Sequence, residues 1–160
     1  SVARKGLWCR LWCGELLEGL MTDGIVHLGF EPKDYFRQSD LQVAAVGWLA
    51  QQQLFGELVE KFGSERIATL DSETLTAKPE TTLTAACRHF GLNVGPEMIS
   101  GHRAFGTHSK FGGSFDVGDR TEEHKAAMEA YGDEIEKVLV WAEAVADAAG
   151  ISLELPAPLL

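Results

Sequence analysis

The stretch Gly101–Phe115, reading GHRAFGTHSKFGGSF, gathers more chemically capable side chains than any other part of this chain. Arg103 and Lys110 bring positive charge, His102 and His108 bring imidazoles, and Thr107, Ser109 and Ser114 bring hydroxyls. No carboxylate interrupts it, although the formal charge of the whole chain is −10. Glycine tolerates backbone conformations that aim several N–H groups at one point, the basis of an anion nest. A phosphate needs such donors together with a cation, and Lys110 ahead of Phe111-Gly112-Gly113 can supply one. The candidate anion contacts are therefore Arg103, His108, Ser109, Lys110, Gly112 and Gly113. The same composition also suits a surface loop leading into a helix, and at this point both readings stand.

Other residues invite chemistry less strongly. Glu73 could act as a base, but a carboxylate where an extended segment enters a helix more commonly caps or pairs. Cys9 and Cys13 lie one helical turn apart, and His27 is the one nearby residue that could join them at a metal. A zinc site needs more ligands than that, so with Trp8 and Trp12 interleaved the four read as ordinary helix packing. Ser109 between His102 and His108 suggests a hydrolase nucleophile, which also requires a positioned base and an oxyanion pocket. Proximity along a glycine-rich loop establishes neither.

The elements that must position these groups follow from periodicity and punctuation. Leu7 to Met21 carries apolar residues at helical spacing and stops at Asp23-Gly24. Ser39 is a good N-cap for a long helix over 40–62, closed by Gly63, with Leu41, Ala45, Trp48, Phe55, Val59 and Phe62 as its apolar positions and Gln52 interrupting them. Residues 66–70 read as a strand. Pro79 suits the first turn of another helix, with Leu83, Ala86, Cys87 and Phe90 in one stripe and Gly91 as its stop. Residues 93–120 read as loop. A last helix begins at Thr121, and its stripe of Met128, Tyr131, Ile135, Val138, Ala142, Val145 and Ala149 runs to Gly150. A lone strand cannot satisfy its own backbone groups, so residues 66–70 require a sheet from elsewhere.

At 160 residues the chain is large enough for one domain with a real core. Its acidity argues against a nucleic-acid partner or an anionic membrane surface. Three cysteines without framework spacing suit a reducing, cytoplasmic setting. No apolar run approaches a membrane span.

The unit Arg66–Leu92, a strand, an acidic turn with Glu73 and Leu75, Pro79, then a helix ending Phe90-Gly91-Leu92, resembles the corresponding segment of sulfotransferases that use the nucleotide sulfate donor PAPS. The resemblance covers roughly residues 40–150. In that family an Arg-Lys-Gly loop near the C-terminus holds the donor's 3′-phosphate, and His108–Gly113 takes its place here, with Lys110 and the glycines matching in kind. What the resemblance implies is an α/β fold: the C-terminal part of a P-loop-type parallel sheet, mostly helical within this chain and with one clear strand. Residues 41–150 would be the core portion and 1–40 a lid on the acceptor side. The activity implied is transfer of a sulfuryl group from PAPS to a hydroxyl or amine acceptor. The family's phosphate loop and catalytic lysine have no counterpart here, so the expectation is a fragment, inactive in isolation. The alternative is a non-enzymatic helical interaction module or oligomerisation domain, for which long apolar stripes would be the binding surfaces.

Overall fold

The computed structural model describes residues 7–24, 26–93 and 117–160. Its elements are α1 (Leu7–Thr22), a 3-10 turn (Pro32–Arg37), α2 (Asp40–Phe62), α3 (Ser72–Ala77), α4 (Pro79–His89) and α5 (Val117–Ala149). The described fold is helical throughout and contains no sheet.

Helix α2 is the central element, and its ends are set by local chemistry. Ser39 accepts from the Gln42 backbone N–H, and the Gln42 side chain accepts from the Ser39 N–H, a reciprocal capping box. Gly63, at φ 83°, closes the other end by donating its N–H to the Val59 carbonyl. The buried face of α2 is Val43, Val46, Gly47, Leu49, Ala50 and Gln52. It is not the stripe expected from the sequence, because Trp48 and Phe62 of that stripe are exposed.

Helix α1 packs along the first half of α2 and advances in the same direction. Arg10 donates from Nε to Asp40 Oδ1 at 2.6 Å and from its guanidinium to the Gln38 carbonyl. One turn on, Cys13 packs with Val43. A Cβ on Gly47 would come within 3.2 Å of Cys13 Sγ, so glycine is what admits this close approach. Further along, Leu17 joins Val46, Leu49 and Ala50 of α2, Ala142 and Ala146 of α5, and Val26, Leu28 and Ile151 in one core. The two alanines of α5 let it sit close to α2 where larger side chains would hold it off. Gly150, at φ 67°, ends α5, and Ile151 N–H returns to the Ala146 carbonyl at 2.8 Å.

The expected strand proves to be an extended connection. Arg66 and Ile67 both donate to the Gly63 carbonyl and so belong to a turn. Thr69 makes a single parallel bridge to the C-terminal tail: its N–H donates to the Ala157 carbonyl at 3.0 Å and its carbonyl accepts from Leu159 at 2.9 Å. Pro158 is the tail residue of that bridge, and the Ile67 N–H that a longer ladder would use next is already given to the Gly63 carbonyl. On the other side, Asp71 already caps α3. The tail therefore meets the backbone needs of Thr69 that a sheet was expected to meet. The α/β, P-loop-type parallel-sheet expectation is thereby overturned, and so is the sulfotransferase resemblance that carried it.

Two helix boundaries also moved. The acidic turn before Pro79 is helix α3, packed against α4. Helix α5 starts at Val117 rather than Thr121 and bends at Tyr131, whose φ of −137° leaves the helical region. The loop expected at 93–120 falls mostly outside the described residues, and its last four residues are helical.

Asp71 provides a local test of this account. Its carboxylate accepts from Thr74 Oγ1 and from the Thr74 backbone N–H, both at 2.6 Å. The Thr74 hydroxyl first, and that N–H second, hold its pKa below the ordinary aspartate value. A depressed folded-state pKa contributes stability that is present above the unfolded value and is lost as pH falls through the folded one. An NMR titration of the Asp71 carboxyl should therefore show a lowered midpoint that rises in Thr74→Ala. An unchanged midpoint in that variant would contradict the assignment.

Candidate interaction surface

Helix α1 carries only Arg10, Glu15 and Glu18 as charged residues, and its apolar side chains run round its circumference. A helix of that kind is ordinarily buried on every side. Here one face is buried and the other is exposed. Cys13, Leu17 and the half-buried Leu20 face α2 and the core. At 100° per residue, Trp8, Leu11 and Trp12 project from the opposite side. They are 55%, 59% and 49% exposed.

The indoles of Trp8 and Trp12 lie one turn apart with ring centroids at 6.4 Å and planes 6° from parallel. Together with Leu11 they make an aromatic and aliphatic platform at the N-terminal end of α1. Glu15 and Glu18 share this outward face and are exposed, so the apolar platform gives way to negative charge within about one turn. The face thus combines rigid aromatic anchors with an acidic margin. Aromatic residues supply large contact area at low entropic cost, which suits them to interfaces.

A second apolar feature lies at the far side of the core. Leu28 and Phe30 face Trp141, Val145 and Ala148 across a shallow groove of about 580 Å³. Phe30 stacks on Trp141 with centroids at 5.9 Å. His27, once considered as a metal ligand with Cys9 and Cys13, sits at this groove, and its backbone N–H donates to Gln53 Oε1 at 2.9 Å. Among the described residues no group of histidine, cysteine and carboxylate side chains converges as a metal site would require. No helix among them is long and apolar enough to cross a membrane.

The residues singled out in the sequence fare unevenly. Arg103, His108, Ser109, Lys110, Gly112 and Gly113 lie outside the described residues, as do His102, Thr107 and Ser114. Glu73 is exposed in the first turn of α3, where Asp71 is the capping carboxylate. Cys13 is a buried thiol packed with Val43. Trp8 and Trp12, read with it as ordinary helix packing, are exposed on the outward side. Helical phase relative to Leu17 was the signal that could have placed them.

The chain has no significant match to a protein-family model, a curated protein or a solved structure. The sulfotransferase expectation fails on the fold. The parallel sheet that would carry its donor site is not found among the described residues, and no comparison supports that chemistry.

Proposed function

We propose that this protein is a non-enzymatic helical interaction module, and that its docking surface is the outward face of α1. The observation that carries this reading is the exposure of Trp8, Leu11 and Trp12 on the side of α1 opposite its buried residues. The partner best suited to that face is an amphipathic helix with apolar residues at i, i+3 and i+4 and a lysine or arginine one turn further on. Its apolar residues cover the indoles and Leu11, and its cation answers Glu15 and Glu18. A second copy of this chain suits the face less well. Its own α1 would bring the same two glutamates, its net charge is also −10, and its Arg10 is already engaged with Asp40.

Fluorescence anisotropy of a labelled synthetic helix of that design tests the proposal. Saturable binding in the micromolar range is expected, about −8 kcal/mol, with affinity falling as salt is raised because the acidic margin is solvent-exposed. Absence of binding at near-millimolar protein would overturn it. Sedimentation as a stable dimer through this face would overturn the choice of partner in favour of self-association.

A further inference from the structure

The tail after Ile151 is tied to the rest of the chain at one threonine. Thr69 donates its N–H to the Ala157 carbonyl at 3.0 Å and its hydroxyl to the Pro156 carbonyl at 2.5 Å. Its own carbonyl accepts from the Leu159 N–H at 2.9 Å. Thr69 is the only buried residue between Phe62 and Ser72, and no tail residue beyond Ile151 is buried. Two largely exposed segments are thus joined by three hydrogen bonds around a single buried side chain. Contacts with so little apolar burial behind them are the ones that open first in a native protein.

The tail is also strained. Ala157, at φ 47°, is the only described residue other than glycine with a positive φ. That conformation costs an alanine free energy that a glycine does not lose. Pro158 raises the cost, because a residue ahead of proline favours extended backbone. Pro156 and Pro158 nevertheless have fixed φ, so a released tail has fewer conformations to lose when it rebinds. A strained but preset segment suits repeated release and closure.

What this contact holds is the α3–α4 pair. Leu70 alone separates Thr69 from Asp71, the N-cap of α3. Thr82 of α4 is fully buried, with its hydroxyl 3.5 Å from the Thr74 carbonyl, so α3 and α4 form one unit. Among the described residues the extensive helix contacts are α1 with α2, α2 with α5, and α3 with α4. The pair therefore lacks a broad helix-to-helix contact with the body made by α1, α2 and α5.

We propose that the tail is a releasable latch: through Thr69 it fixes the α3–α4 pair on the body, and its release frees that pair as a unit. Ile151 belongs to the core of the body, so α1, α2 and α5 stay packed when the latch opens.

Amide hydrogen exchange and backbone amide relaxation of the full chain test this. Thr69 and Leu159 should share one opening constant, well above that at Leu49 and Ala50 in α2. Thr69→Val keeps the shape but removes the hydroxyl, and should raise that constant about fivefold, the loss of one hydrogen bond. Ala157→Gly should lower it about threefold, because relief of the strain outweighs the added freedom of glycine. Combining Thr69→Val with Leu159→Pro leaves one of the three hydrogen bonds. In that variant the α3 and α4 amides should report a shorter correlation time than those of α1, α2 and α5, with protection at Leu49 and Ala50 kept. Equal correlation times in a folded body would overturn the latch. So would unchanged or faster opening in Ala157→Gly, a variant that leaves all three hydrogen bonds in place.

Discussion

Leu49→Ala is expected to lower the free energy of unfolding by about 2–5 kcal/mol. Leu49 is fully buried at the centre of the cluster that joins α1, α2 and α5. Truncation removes methylene contacts and leaves a cavity among Leu17, Val46, Ala142 and Ala146, which α2 cannot close without moving against two helices. Against a total stability of roughly 5–15 kcal/mol for a domain, such a loss is a large fraction. Leu11→Ala, on the open face of α1, should change stability by no more than about 0.5 kcal/mol. Chemical denaturation of the two variants side by side separates a packed leucine from an outward one. Equal losses would mean that the burial pattern of α1 and α2 is wrong.

The second large effect is on binding. Trp12→Ala should weaken the partner helix by about 2 kcal/mol, roughly thirtyfold, as expected for an aromatic anchor at the centre of an interface. Adding Leu11→Glu places a charge where the partner's apolar residues must sit, and should bring binding below detection. Neither change touches a buried residue, so melting temperature should stay near that of the parent protein. Reversing the margin with Glu15→Lys and Glu18→Lys should act differently. It should slow association and flatten the salt dependence, with a smaller effect on dissociation. Anisotropy and stopped-flow measurements on these variants distinguish anchor from margin. A Trp12→Ala protein that binds as tightly as the parent would remove the α1 face from the interface.

Punctuation in the sequence located helices better than it located their faces. Ser39 with Gln42, and Gly63, fixed both ends of α2 through groups that act locally, and Asp23-Gly24 marked the end of α1 in the same way. Which side of α2 would be buried was not legible, because Trp48 and Phe62 are as apolar as Val43 and Leu49 and periodicity alone allows either face. The close approach at Gly47 and Cys13 decides it, and that is a tertiary fact. The segment 66–70 looked like a strand because a single extended stretch has the same local composition whether or not it meets a sheet. Its single bridge to Pro158 could be weighed only once the tail was seen beside Thr69.

The candidate site was legible in part. The alternation of tryptophan, leucine and cysteine at the start of α1 was noticed, but its outward direction depended on where Leu17 pointed. Gln52 stood out in the sequence as an interruption of an apolar run. It lies on the buried face of α2 with Val46, Leu49 and Ala50.

The most direct measurement is a two-dimensional NMR titration that follows the four indole N–H signals as the basic amphipathic peptide is added. The chain has tryptophans at positions 8, 12, 48 and 141, so each face reports separately. Saturable shifts with one common affinity are expected for Trp8 and Trp12, while Trp141, packed against Phe30 at the core, stays in place. Shifts confined to Trp48 or Trp141, or none at saturating peptide, would contradict the assignment of the α1 face as the docking surface.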